Sequence, residues 1–179
     1  MAYESERGNP STDQCAAQDG FVTLLFDGYY LKLLIDGQVD AAWHARSGVP
    51  KDDWFNYTPE QQRKGDEGPI PAGEYWIRPD QISVPGIAPD SWGNFRITIH
   101  YFPKTETFRR GGFFIHGGKT FGSKGCIDLA MYMDSFVGKM KELFFGSEVP
   151  DPVAGLIRGY SNCYIPLTVK YAKEYVAVP

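Results

Sequence analysis

The sequence lacks any run of the roughly 18 apolar residues that a membrane-spanning helix needs, and it lacks a stripe of basic residues. With 18 basic and 22 acidic residues, its formal net charge of −4 argues against a nucleic-acid partner. Residues 1–20 are polar and acidic, without the basic start and apolar centre of a Sec signal peptide. We therefore expect synthesis in the cytoplasm without such a signal, and another route for any export.

Cysteine is scarce as well, since the chain has three and none forms a C-x-x-C arrangement. Three thiols cannot all pair within one chain, so at least one is free. A Cys15–Cys163 bridge would leave Cys126 unpaired, but three reduced thiols agree equally well with the sequence.

Aromatic residues, glycine and proline are plentiful, at 15% aromatic with 20 Gly and 13 Pro. This mixture favours strands and turns over a helical bundle. A chain of 179 residues is long enough for one domain with its own core. We expect a polar leader over residues 1–19 and a single domain over residues 20–179.

Apolar and alternating runs predict the strands. Three runs after residue 20 are separated by Asp27-Gly28 and Asp36-Gly37, which is typical of a three-strand meander. Later strands are predicted over residues 73–78, 94–102, 113–116 and 164–171. Pro166 places the last of these at a sheet edge or delays its start. Residues 47–68 and 79–93 lose periodicity, and we predict irregular loops there.

Residues 128–145 carry apolar side chains at helical spacing, which predicts one principal helix in a mainly β (α+β) fold. Asp128 or Asp134 is a candidate for its N-terminal cap. Cys126 would then lie just before a helix N-terminus, where the helix dipole favours a thiolate.

The glycine-rich stretch over residues 113–129 holds His116 and Cys126, ten positions apart. Two short strands joined by a tight loop would place these two residues side by side. An imidazole can take the proton of a thiol nucleophile and later return it to a leaving amine. Glycine beside the cysteine lets a substrate carbonyl approach backbone N–H groups, as an oxyanion hole requires.

This stretch resembles the L,D-transpeptidase (YkuD-like) catalytic domain, in which His-Gly precedes Ser-x-Gly-Cys; cysteine comes first in papain-like and NlpC-type peptidases. The block Gly122-Ser-Lys-Gly-Cys-Ile-Asp-Leu129 is similar in particular to a branch found among type VI secretion effectors that attack peptidoglycan. Residues 45–48 and 68–75 resemble earlier landmarks of the superfamily, so the resemblance spans roughly residues 21–145. It implies a β-sandwich or barrel of antiparallel and mixed strands.

The sequence departs from the housekeeping transpeptidases at two positions. They usually have histidine where this chain has Lys124, and arginine or asparagine where it has Asp128. The departure favours the effector-like branch over a housekeeping cell-wall L,D-transpeptidase. A catalytically idle wall-binding module is a third alternative, against which the intact His116 and Cys126 count.

The resemblance implies a role for each residue of the motif. Cys126 would be the nucleophile and His116 the base, with the Gly117 carbonyl orienting the imidazole. The backbone N–H groups of Gly125 and Cys126 would hold the oxyanion. The implied target is the bond between meso-diaminopimelate and the terminal D-alanine of a tetrapeptide stem. A thioester would form and pass to water, a D-amino acid or a stem amine, and no metal or cofactor is required.

Ser123, Lys124 and His100 are weaker candidates, for substrate binding. The alternatives are a hydrogen bond within the loop for Ser123, a solvated charge for Lys124 and a satisfied strand histidine for His100. A zinc site from His100, His116 and Cys126 is a further alternative, but its spacing matches no familiar ligand pattern.

The implied partners are peptidoglycan stem peptides, together with the secretion machinery and the immunity protein that an effector is expected to have. The implied place of action is the periplasm of a target bacterium.

Overall fold

The computed structural model describes residues 4–18, 20–144, 155–156 and 162–179. The strands are β1 Ala16–Ala17, β2 Gly20–Phe26, β3 Tyr30–Ile35, β4 Gln38–His44, β5 Arg46–Ser47, β6 Trp54–Asn56, β7 Gly73–Ile77, β8 Ile82–Val84, β9 Arg96–Thr98, β10 His100–Tyr101, β11 Phe114–His116, β12 Ile127–Asp128, β13 Gly155–Leu156, β14 Ile165–Val169 and β15 Tyr175–Ala177. The helices are α1 Pro59–Gln62, α2 Pro89–Trp92 and α3 Met133–Phe144. The prediction of a mainly β fold with one principal helix is confirmed. Within these ranges, no helix is both long and apolar enough to cross a membrane.

The first sheet, called sheet 1 here, has the strand order β10-β7-β14-β2-β3-β4, with β1 paired to β2. Strands β2, β3 and β4 pair antiparallel in sequence, so the predicted meander is confirmed. Asp36 and Gly37 both have positive φ, at 50° and 81°, as a tight hairpin turn of this type requires.

Strand β14 does not lie at an edge, so that part of the prediction from Pro166 is wrong. It sits between β7, to which it is antiparallel, and β2, to which it is parallel. The pairing with β2 starts at Leu167, one residue after Pro166. Pro166 is thus outside the ladder with β2, although it stands opposite Trp76 within the ladder with β7.

Sheet 2 has the strand order β13-β8-β9-β11-β12-β5 and positions the site. A row of directly paired isoleucines crosses it at Ile82, Ile97, Ile115 and Ile127, and all four are fully buried. Side chains alternate between the faces of a strand, so the neighbours of these isoleucines share the opposite face. There the paired row reads Arg96, His116, Asp128 and Arg46.

The strand predicted over residues 94–102 is two strands in different sheets. Strand β9 pairs with β8 and β11 in sheet 2, whereas β10 pairs with β7 in sheet 1. The chain passes from one sheet to the other at Ile99, which is fully buried. Periodicity reports which side chains are buried but not which strand lies alongside, so it could not locate this break.

The two predicted loops contain short elements, so those predictions are wrong in part. Residues 47–68 include β6, which pairs with β15, and the single turn α1, where Thr58 accepts a hydrogen bond from the Gln61 N–H. Residues 79–93 include β8 and α2. The aromatic side chains of Phe55 and Tyr57 are buried and anchor the first segment to the core.

Helix α3 begins at Met133, five residues later than predicted. Ala130 has a φ of 46°, in the left-handed region, and residues Ala130–Tyr132 form a 3₁₀ turn before the helix. Asp128 lies in β12 rather than at the helix start. The prediction that Cys126 immediately precedes a helix N-terminus is therefore wrong, because β12 and the 3₁₀ turn separate the two. Phe145, the predicted last helical residue, lies outside the described residues.

Cys15 and Cys163 form a disulfide with a Cα–Cα distance of 4.9 Å, which leaves Cys126 as the free cysteine. The segment before β1 contacts the domain at several points. The hydroxyl of Ser5 donates to the Ile99 carbonyl at 2.7 Å and accepts from the Phe113 N–H at 3.0 Å. The leader is thus tied to the strands beside the site, while the predicted domain boundary at residue 19 stays a prediction.

Candidate active site

His116 ends β11 on the face of sheet 2 opposite the isoleucine row. Its Nδ1 lies 2.6 Å from the Gly117 carbonyl oxygen. A carbonyl oxygen can only accept, so this contact assigns the ring hydrogen to Nδ1 and leaves Nε2 with a free lone pair. Burial lowers the pKa of His116, although the hydrogen bond to Gly117 opposes that shift. The imidazole is therefore neutral at neutral pH and can accept a proton at Nε2.

The turn after His116 is fixed by backbone contacts. The Gly117 N–H donates to the Trp92 carbonyl at 3.1 Å, and the Lys119 N–H donates to the Asp90 carbonyl at 2.8 Å. The Trp92 ring lies 4.9 Å from the imidazole, centroid to centroid. Helix α2 thus covers His116 and holds the carbonyl that orients it.

Asp128 is almost fully buried and pairs with His116 across the parallel strands β11 and β12. Its Oδ1 accepts from the Ala130 N–H at 2.8 Å, and its Oδ2 accepts from the Gly122 N–H at 3.0 Å. Burial raises the pKa of this carboxyl to about 7, against the opposing effect of the two hydrogen bonds. The carboxyl joins the glycine-rich loop to the 3₁₀ turn, and its Oδ1 stands 3.9 Å from the His116 Nδ1.

Cys126 immediately precedes β12, two residues before Asp128, so continued alternation would direct its side chain to the face of sheet 2 that carries His116. The side chain is 9% exposed, and its Sγ lies 3.9 Å from the Gly112 carbonyl oxygen. Burial raises the pKa of the thiol to about 12, while a backbone hydrogen bond from Phe114 and the charge of Arg96 act in the opposite direction. The resting thiol is protonated, whereas the predicted helix dipole would have favoured a thiolate.

Gly125 precedes the cysteine with a φ of 115°, which strongly favours glycine. A Cβ there would stand 2.6 Å from a terminal nitrogen of Arg110. That guanidinium donates to the carbonyls of Gln62, Gly68 and Pro69 at 2.6–2.8 Å. Arg110 therefore fixes the segment after α1 against the residue next to the nucleophile candidate.

The weaker candidates have different positions. The Ser123 hydroxyl donates to the Cys126 carbonyl at 2.6 Å, so it closes the turn, and Lys124 is exposed. His100 lies in sheet 1, where its Nδ1 accepts from the Glu6 N–H and its Nε2 contacts the Gln81 side-chain oxygen. This geometry favours the satisfied strand histidine over a substrate contact. The substrate-binding roles of Ser123 and Lys124 stay predictions.

The described residues contain no group of three or more His, Cys, Asp and Glu side chains placed to hold a metal ion. His100, a member of the alternative zinc set, has both ring nitrogens engaged in the other sheet.

Two arginines of the site were missed by sequence reasoning. Arg110 lies in a segment without hydrophobic periodicity, so nothing in the sequence indicated that it packs against Gly125. Arg96 was placed by alternation on the face opposite Phe95 and Ile97, but only the pairing of β9 with β11 brings it beside His116.

Comparison with known proteins places the chain in a family. Its fold is similar to a solved structure of Bdellovibrio bacteriovorus Bd1075, with a TM-score of 0.51 and 16% identity over 94% of this chain. The match covers 55% of that protein, so the chain spans about half its length. A search of curated proteins finds no match. The profile of the Tlde1 domain matches residues 42–143, more than half of the chain and including His116 and Cys126, and the chain therefore belongs to the Tlde1 domain family.

Proposed function

We propose that this chain is a cysteine-dependent peptidoglycan-modifying enzyme that acts on tetrapeptide stems. It would work as an L,D-carboxypeptidase, as an L,D-transpeptidase that exchanges D-amino acids, or as both. One observation carries the proposal. The free cysteine, Cys126, immediately precedes β12, the strand that pairs in parallel with the strand ending at the neutral histidine His116.

Family membership supports the substrate and the delivery route, since Tlde1 domains indicate type VI secretion effectors that act on peptidoglycan. The Cys15–Cys163 disulfide supports the place of action. Disulfides persist in oxidising compartments such as the periplasm and are rare in the bacterial cytosol. Both observations favour an antibacterial effector that is active in the periplasm of a target cell.

The first half-reaction forms a thioester. The Cys126 Sγ attacks the carbonyl carbon between meso-diaminopimelate and D-alanine, and the His116 Nε2 takes the thiol proton. The carbon–nitrogen bond then breaks, and the imidazolium gives that proton to the departing amine of D-alanine. While the ring is charged, its Nδ1 lies 3.9 Å from Asp128 Oδ1, which stabilises the cation when the carboxyl is ionised.

The second half-reaction releases the acyl group. Water loses a proton to His116 and attacks the thioester carbon, and the sulfur leaves and regains the proton from the imidazolium. The products are free D-alanine and a tripeptide stem. A D-amino acid in place of water gives exchange, and a stem amine gives a cross-link.

The oxyanion needs donors that are fixed before the reaction starts. We assign this role to the backbone N–H groups of Gly125 and Cys126. The absence of a side chain at Gly125 and its constrained φ of 115° support this assignment, because they set the direction of the peptide groups around the nucleophile.

The test is incubation with purified tetrapeptide muropeptides, with D-alanine release followed by mass spectrometry. We expect release by the wild type and none by Cys126→Ala or His116→Ala. His44→Ala is the matched control, since His44 also ends a strand but its ring packs at tilted angles against the rings of Tyr30 and Tyr132. No release by the wild type, or full release by Cys126→Ala, contradicts the proposal.

A second assay tests the place of action. Expression directed to the periplasm of a bacterial host should be toxic, while the same chain kept in the cytoplasm should be harmless. Toxicity of Cys126→Ala in the periplasm equal to that of the wild type would point to wall binding without catalysis.

A further inference from the structure

Arg96 has an unsatisfied donor beside the proposed active site. Its Nε is buried and has no hydrogen-bond partner among the described residues. No described acidic side chain forms an ion pair with the Arg96 guanidinium. The residue as a whole is only partly buried. A buried donor without an acceptor is uncommon in folded proteins and calls for an explanation.

The position of Arg96 is fixed on several sides. In the β9–β11 pair it stands directly opposite His116. Its guanidinium carbon lies 4.8 Å from the Trp92 ring centroid and 5.0 Å from that of Phe114. Arg96 is also close enough to Cys126 for the two side chains to interact electrostatically.

We propose that Arg96 binds the free α-carboxylate at the C-terminus of the peptide substrate, that of the D-amino acid to be removed. This inference rests on the proposed function and names the group that the site recognises. The carboxylate would bind the terminal N–H groups of Arg96, because the Nε is buried. A guanidinium presents these groups as part of a planar fork of donors, and two aromatic rings contact it.

The covalent structure of the stem favours the terminal carboxylate over the free carboxylate of meso-diaminopimelate as the group that Arg96 binds. It is separated from the carbonyl that Cys126 attacks by only the amide nitrogen and one α-carbon. The free carboxylate of meso-diaminopimelate is separated from that carbonyl by a chain of methylene groups. A cation close to both His116 and Cys126 therefore faces the terminal carboxylate when the scissile carbonyl is at the sulfur. The site would then remove a final residue and disfavour cleavage within a longer peptide.

The test compares two substrates, the tetrapeptide stem and the same stem with its terminal carboxylate converted to an amide. Wild-type kcat/KM should be higher for the carboxylate by about 10- to 100-fold, the usual range for a hydrogen bond to a charged group. Arg96→Gln should lose that preference, because kcat/KM for the carboxylate substrate should fall much further than kcat/KM for the amide. Arg96→Lys should retain part of the preference, since it keeps the charge but not the fork.

Arg63→Gln is the matched control, because Arg63 also stacks on an aromatic ring, that of Phe108 at 4.7 Å, but belongs to the end of α1. It should keep the wild-type preference. Equal loss on both substrates in Arg96→Gln would assign Arg96 a structural role and overturn the inference. An unchanged preference would overturn it as well. If the wild type releases nothing from either substrate, the proposed function itself fails, which is a separate outcome.

Discussion

Removal of the Cys15–Cys163 disulfide should lower the stability of the domain by a large and measurable amount. The two cysteines are 148 residues apart, so the bridge closes most of the chain into one loop. In the chain-entropy model a loop of this length stabilises the folded state by about 5 kcal/mol, because it restricts the unfolded chain. That is comparable with the whole stability of many domains.

The assay is guanidinium denaturation of the Cys15→Ala/Cys163→Ala variant beside the wild type. For a chain of this size, with a slope of roughly 4 kcal/mol per molar, the midpoint should fall by roughly 1 M. Reductant should lower the midpoint of the wild type and of Cys126→Ala alike, but not that of the double variant. This control separates the bridge from the free thiol.

An unchanged midpoint in the double variant would refute the reasoning. It would mean that the bridge does not restrict the unfolded chain by the amount that the length of the loop implies. The Cys15 N–H donates to the Tyr164 carbonyl at 2.8 Å, and that backbone bond survives in the variant. The expected loss therefore belongs to the covalent link rather than to the local pairing.

Three further predictions concern the site. Burial lowers the pKa of His116 below 6.5, so protonation of this base should make kcat/KM fall as the pH drops below 6.5; an acid limb centred above pH 7 would contradict this. Gly125→Ala should abolish most D-alanine release, because the new Cβ meets the fixed guanidinium of Arg110. Gly37→Ala is the control, because Gly37 also has a positive φ but lies in open space; this variant should lose stability without a specific loss of activity. The pKa of Asp128 is raised from 3.8 to about 7, so between these pH values the folded state holds the proton more tightly than the unfolded state. The unfolding free energy of the wild type relative to Asp128→Asn should therefore fall as the pH rises from 3.8 to about 7. A difference in unfolding free energy between the two proteins that stays constant with pH would refute this.

The parts of the fold that depend on neighbouring residues were predictable from the sequence. Asp36-Gly37 specifies its own turn, so the meander followed from local chemistry. The strand ending at His116 was likewise predicted, because alternation and the following glycines mark its end.

Features set by distant residues were not predictable. Only the pairing of β14 with β2 and β7 shows that Pro166 lies in a central strand. The late start of α3 depends on Ala130, whose left-handed backbone accompanies the bond from its N–H to Asp128. No propensity scale places alanine in that conformation, since the region favours glycine.

In the candidate site, too, local features were predictable from the sequence and features set by distant residues were not. The sequence predicted that His116 and Cys126 lie side by side, and this stays a prediction. The protonation state of the thiol depends on its burial, which the sequence does not report. The prediction of a stabilised thiolate assumed a nearby helix terminus, and β12 occupies that place instead. With the thiol pKa raised and the His116 pKa lowered, the resting pair is neutral, so in the proposed mechanism proton transfer accompanies attack on the substrate. Arg96 and Asp128 stand on either side of His116 in the paired row across sheet 2, with opposite charge when the carboxyl is ionised. The proposed chemistry therefore depends as much on strand register as on the Cys/His motif.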